Sequence, residues 1–246
     1  MPRAESQPAE AQRRASWWRA IRTAWLAAYG LLVLLPLVLI ALYRYVPPPV
    51  TPLMLIRVVE GEGIAKDWTP LHAIGQNAPR AVIAAEDNLF CTHYGFDWKA
   101  LGKIIDEADG DGPTRGGSTI SQQTAKNLFL WPGRSYVRKA LEAYLTAWLE
   151  LSLDKRRILE LYLNVAEWGA GVYGVEAAAQ ANFNKPAAKL STREAARLAA
   201  ILPNPRALSA SKPGPRTARQ AERVQTRIGQ LGPLYDCVSE IAWGKN

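Results

Sequence analysis

The sequence predicts a mainly α-helical domain with a single core, carried behind one N-terminal transmembrane helix. Three observations lead there. A chain of 246 residues that is 48% hydrophobic suffices for one well-filled domain and is too short for two large ones. Residues 23–43 carry no charge and are dominated by Leu, Ala, Val and Ile, enough to cross a hydrocarbon core as a helix. Downstream, apolar residues recur at helical spacing between caps and breakers, and no stretch shows convincing strand alternation.

The elements follow in order. Residues 1–22 form a basic N-terminus, with Arg3, Arg13, Arg14, Arg19 and Arg22 ahead of the span and only Arg44 and Arg57 shortly after it. The positive-inside bias therefore leaves the N-terminus in the cytoplasm and the rest of the chain outside. The anchor takes in 23–46, with Pro36 a potential kink. Its apolar run is long for a signal peptide, and no small-x-small cleavage site follows it. Trp17, Trp18 and Trp25 near one end and Tyr43 and Tyr45 near the other suit the two interfaces. Residues 47–57 read as a Pro-rich spacer, and the folded domain is assigned to 58–246.

Within that domain, 58–64 is expected to be extended. Residues 79–90 read as a helix that starts on Pro79, is rich in alanine, and holds Glu86 inside it. A second helix is predicted over 98–108, broken by the DGDGP run at 109–113. In the helix over 136–151, Val137, Leu141, Tyr144, Leu145, Trp148 and Leu149 recur at the spacing of one buried face. Asp154 caps a helix over 155–164. Glycines 169, 171 and 174 mark a turn before the helix at 175–183, and Ser191 and Glu194 form a capping box for a last core helix that Pro203 stops.

The stretch GGSTISQQTAKN at 116–127 is the most unusual, because it packs two glycines, several hydroxyls, amides and a lysine into one segment. A Gly-Gly pair permits a tight turn or close approach to a ligand, and Ser118 and Thr119 can cap a helix presenting Gln122, Gln123 and Lys126. Upstream lies EDNLFCTHYG at 86–95; downstream lie RKALE at 138–142 and ILELYLN at 158–164. In that order the four blocks resemble the motifs of the family 51 glycosyltransferases, over about 58–205. Ser121 departs from the threonine usual in the family but keeps the hydroxyl, and the likeness stops after Pro205.

The resemblance implies a lysozyme-like helical fold and polymerisation of lipid II into β-1,4-linked glycan strands, with release of undecaprenyl diphosphate by an inverting displacement. It implies Glu86 as general base; hydrophobic neighbours such as Val82, Ala85 and Leu89 are expected to raise its pKa. It maps diphosphate binding onto Lys126, Arg134 and Arg138, with Lys139 completing the cationic set, Arg115 a weaker addition, and Ser118, Thr119, Gln122, Gln123 and Asn164 as polar contacts. Arginine's planar fork and lysine's mobile charge both suit phosphate oxygens. Glu142 is the second carboxylate carried over; it orients the cations, holds a metal at the diphosphate, or assists the leaving group. Magnesium or manganese at the diphosphate is chemically sensible, but no dedicated ligand spacing occurs, and His93 reads as a structural hydrogen-bonder.

The net charge of +8 suits a partner with phosphates. A domain outside the cytoplasm has little use for nucleic acid, which leaves the membrane, lipid II, the growing lipid-linked glycan and cell-wall synthesis proteins as expected partners, at a bacterial inner membrane with the domain in the periplasm. Two other readings compete: a membrane-anchored lytic glycosidase on a lysozyme-like fold, and a non-catalytic envelope scaffold. The SxxK at 209–212 has no KTG after it and reads as chance. Cys91 and Cys237 are the only cysteines, and outward topology predicts that they form a disulfide; the alternative is a free Cys91 packed as a small hydrophobe.

Overall fold

The computed structural model describes residues 7–98, 102, 117–133 and 135–239, with side chains from residue 13 onward. It divides into two compact units, 1–43 and 44–246.

The first unit is helical throughout. Helix α1 (Gln7–Tyr29) runs through a π-helical turn (Gly30–Leu34) into α2 (Leu35–Tyr43). Where a kink at Pro36 was expected, the chain widens just before the proline, and Leu35 N–H donates to Gly30 O, five residues back. Proline lacks an N–H and crowds the carbonyl four residues before it, and a π turn absorbs that misfit without ending the helix. Residues 13–43 form one 31-residue stretch of helix, apolar enough to span a bilayer.

The second unit starts earlier than the sequence suggested. Instead of an open spacer up to residue 57, Thr51 caps helix α3 (Pro52–Val59), accepting from Met54 N–H, and Pro52 takes the first turn. Leu53 and Met54 are buried, and α3 packs on the helix that carries Lys126. Three short strands, absent from the sequence reading, form a sheet of order β1-β3-β2: β1 (Ala65–Lys66) lies parallel to β3 (Val172–Tyr173), which runs antiparallel to β2 (Glu167–Gly169). Strands of two or three residues are too short for alternation to show. Gly171 at their turn has φ +68°, and a Cβ there would meet Gly63 O at 2.5 Å, so only glycine fits.

Helix α4 (Leu71–Ile74) leads to α5 (Asn77–Glu86), which stops four residues short of its predicted end, so that Glu86 is its last residue. The predicted helix at 98–108 lies outside the described residues, apart from Trp98 and Gly102, both helical. Then come α6 (Ile120–Phe129), α7 (Tyr136–Ser152), α8 (Lys155–Val165), α9 (Val175–Phe183) and α10 (Thr192–Ile201), with caps at Thr119, Ser135, Asp154 and Ser191. The buried face of α7 is Glu142, Leu145, Thr146 and Leu149; Leu145 and Leu149 are buried as read, Leu141 and Tyr144 pack half-buried against the core, Trp148 is half-buried, and Val137 is 69% exposed. Glu142 is a polar residue that the packing turns inward.

The segment after Pro205 belongs to the core. Helix α11 (Pro215–Gln230) packs on α10 and α5 through Thr217, Ala221 and Val224. Alanines at 81 and 84 in α5 and at 195, 196, 199 and 200 in α10 are buried, and small side chains let helix axes approach closely. A final 3₁₀ turn (Gly232–Val238) brings Cys237 to Cys91, with Cα atoms 5.6 Å apart and the two sulfurs bonded. No free cysteine remains.

Candidate active site

The site begins where α5 ends. Asp87 leaves the helix at φ −163° and ψ 76°, and its carboxylate accepts from Ile120 N–H at 2.9 Å, covering an orphan amide at the start of α6. His93 Nε2 lies 2.9 and 3.1 Å from the same two oxygens, a structural role. Thr119 and Gln122 close a capping box, and Thr119 Oγ1 also donates to Gly95 O at 2.7 Å. Gly95 has φ +81°, and a Cβ would stand 2.9 Å from Thr146 Cγ2. The first two motifs are thereby tied together across more than thirty residues of chain.

That joint sets Glu86 against α6. Gln123 Nε2 donates to Glu86 Oε2 at 2.7 Å, and Tyr162 O–H donates to Gln123 Oε1 at 3.2 Å, which fixes the orientation of the amide. Burial pushes the Glu86 carboxyl above its ordinary range, and Asp87 adds to the rise; Gln123 and Lys126 pull the other way. Burial likewise raises Tyr162 well above its ordinary value, with Glu86 and Asp87 adding, so its hydroxyl stays a donor.

One side of α7 supplies the cations. Glu142 is 3% exposed, and Arg138 Nη1 donates to it at 2.7 Å while Lys139 Nζ pairs with its other oxygen. Lys139 also donates to Ser118 Oγ at 3.2 Å. Lys126, one turn beyond Gln122 on α6, is lowered from the ordinary lysine range by burial and by Arg138 and Lys139, against the opposing pull of Glu142 and Glu86. Among the described residues no hydrogen bond or ion pair reaches its ammonium. Lys126 and Arg138 line a pocket of about 320 Å³.

Of the other predicted contacts, Ser118, Thr119, Gln122 and Gln123 gather here. Asn164 is committed elsewhere: it accepts from Thr69 N–H and donates to Thr69 O and Glu160 O, fully buried, so its polar atoms hold a loop. Ser121, the departure from the family pattern, donates to Glu150, which also takes Lys155 at 2.7 Å. Arg115 and Arg134 lie outside the described residues. Ser209 Oγ accepts from Lys212 N–H at 3.1 Å in a local turn, the ordinary behaviour of a serine in a loop. The sequence reading missed Asp87 as a cap and Tyr162 as the clamp on Gln123, although both stand inside motifs that it quoted.

The arrangement pairs a carboxylate poised to take a proton with a cluster of positive charge able to receive an anion. The family model described as Transglycosylase matches residues 54–230. A biosynthetic peptidoglycan transglycosylase of Caulobacter vibrioides is 50% identical over 223 residues, 90% of this chain and 97% of the relative. Proteins of the same name from Nitrobacter winogradskyi and Pseudomonas syringae pv. syringae are 51% and 49% identical, over 90% and 85% of this chain and 97% and 88% of theirs.

Proposed function

The chain belongs to the transglycosylase family, and from that premise we propose that Glu86 is the general base of its reaction and that Lys126 and Arg138, with Arg134 and Lys139, receive the diphosphate. The protein is a peptidoglycan glycosyltransferase of lysozyme-like helical fold, and its substrate is lipid-linked glycan precursor.

The observation that carries the mechanistic reading is the contrast in partners around the two carboxylates. Glu86 is held by a neutral amide and keeps a raised affinity for a proton. As the acceptor's 4-hydroxyl attacks the donor's anomeric carbon, its proton passes to Glu86. The bond from that carbon to the diphosphate oxygen breaks, and the electron pair leaves with the diphosphate. An α-linked donor becomes a β-linked product in one displacement, so no nucleophilic side chain is called for. Charge builds on the departing oxygens, where Lys126 and Arg138 stabilise it most in the transition state. Glu142 holds Arg138 and Lys139 in place, which we take as its role.

A divalent ion at the diphosphate would need Glu142 as its protein ligand. Both oxygens of that carboxylate are engaged by cations, with Lys126 close enough to be felt, and no cluster of three or more His, Cys, Asp or Glu suited to a metal occurs among the described residues. This donor set suits neutralisation by side chains better than a resident magnesium or manganese, and no step is routed through one.

We place the protein as a single-pass protein of the bacterial inner membrane, with the N-terminus in the cytoplasm and the domain in the periplasm, where cell-wall synthesis proteins and the growing glycan are its partners. The arginines before residue 23 and the Cys91–Cys237 bond, which persists in oxidising compartments, support this. The deciding assay gives the purified full chain lipid II in detergent and, separately, finished glycan. Polymer from the first supports the reading; cleavage of the second without polymer overturns it in favour of a lytic glycosidase.

A further inference from the structure

The pocket beside Lys126 and Arg138 extends past the residues assigned so far, to Arg57 and Leu53 of α3, Trp131 after α6, and Glu167 of β2. Arg57 Nη1 is bonded to Glu60 at 2.5 Å, whereas its Nε stands 3.5 Å from Glu167 Oε1 without the geometry of a hydrogen bond. Neither of these buried atoms makes a hydrogen bond, although the two form an ion pair with each other, and buried Arg138 Nε makes no hydrogen bond either. Buried polar atoms of this kind are rare in folded proteins, and these three belong to residues lining one pocket. Three cations line it against one lining carboxylate, Glu167, while Glu60 and Glu142 pair with Arg57 and Arg138 without lining it.

The remaining walls are apolar. Leu53 and Leu130 are buried, and Trp131 lies half exposed at the edge. Cationic donors beside a hydrocarbon lining suit a ligand that is a multiply charged anion at one end and apolar at the other. A sugar alone would bring no charge to Lys126, and a free diphosphate would leave the half-exposed Trp131 uncovered.

We propose that Arg57 is a further binding residue for the substrate, holding the diphosphate together with Lys126 and Arg138, while Leu53, Leu130 and Trp131 receive the first isoprene units of the lipid carrier. This rests on the glycosyltransferase reading above. It makes the helix that directly follows the anchor a wall of the site.

The test measures binding of farnesyl diphosphate and of inorganic diphosphate to the full chain in detergent micelles, with melting followed in parallel. Wild-type protein binds farnesyl diphosphate the tighter. Arg57→Gln weakens both probes about tenfold, the scale of a lost charge-assisted hydrogen bond. Trp131→Ala weakens farnesyl diphosphate alone. Wild-type affinities in Arg57→Gln, or equal losses for both probes in Trp131→Ala, overturn the proposal. Should Arg57→Gln fail to fold, Arg57→Lys decides: it keeps the charge but not the planar fork, so a several-fold loss supports the proposal and an unchanged affinity overturns it. Wild-type polymerisation of lipid II, run alongside, separates the two readings, because polymerisation with indifferent Arg57 variants removes this inference and leaves the reaction standing.

Discussion

Two carboxylates turn inward on different helices, and their surroundings differ in kind. Glu86 ends α5 beside one amide, itself clamped by a tyrosine. Glu142 lies in the middle of α7 between an arginine and a lysine. The first keeps an oxygen that can accept a proton; the second is spent as a counterion. Under the proposed function, two glutamates drawn from motifs of equal prominence take separate work, one chemical and one electrostatic, and the charge of their partners is what separates them.

The comparison breaks most visibly if Glu86 is not the base. Glu86→Gln is expected to lower polymerisation on the order of 100-fold to 10,000-fold while leaving the fold intact. Near-normal synthesis from lipid II in detergent would remove Glu86 from the proton transfer. Glu142→Gln should do something different, lowering stability by about 3 kcal/mol because the buried Arg138 loses its counterion, with the half-exposed Lys139 adding little. Chemical denaturation measures it, and a melting curve equal to that of Glu86→Gln would erase the distinction drawn here.

Arg138→Gln is expected to weaken binding of a diphosphate probe about tenfold, the scale of a charge-assisted bond. Its effect should fall mainly on use of the donor; parallel loss of melting temperature and activity would make Arg138 a purely structural partner of Glu142. The mildest effect is on pH. Activity should rise as pH climbs through the raised value of Glu86 and fall as it climbs through the lowered value of Lys126. The sign for stability runs the other way. A carboxyl whose folded-state pKa is raised stabilises most below its unfolded value and loses that contribution as pH rises through the folded one. Measured against Glu86→Gln, wild-type protein should therefore lose melting temperature over that window, and parallel curves would count against a perturbed Glu86.

Much of this was legible in the chain because caps are local. Asp154, Ser191 and Glu194 announce helices that the structure has, within a residue or two. A helix apolar enough to span a bilayer was equally plain from an uncharged run. What stayed hidden depends on distance or on small side chains. Asp87 reads as a neighbour of Glu86, and only its bond to Ile120 reveals a cap. Helix α11 hides because its buried positions are Thr217, Ala221 and Val224 among arginines and glutamines. Helix α3 hides behind prolines that suggested a spacer, and with it went Arg57. Glu142 was missing from the buried face read for α7, since an apolar count cannot foresee that a charge will join it.

The bond between Cys91 and Cys237 joins residues 146 positions apart. In covalent terms the molecule is a lasso. Its noose contains α6 to α11, and the anchor, α3 and the helix of Glu86 lie on the free end of the rope. A single cut anywhere between the two cysteines opens the noose but parts nothing, so both fragments travel together until a reductant is added. New chain ends can therefore be introduced inside the noose without letting the pieces drift apart, whereas a cut between the apolar N-terminal helix and Cys91 frees the noose from that helix with its disulfide intact.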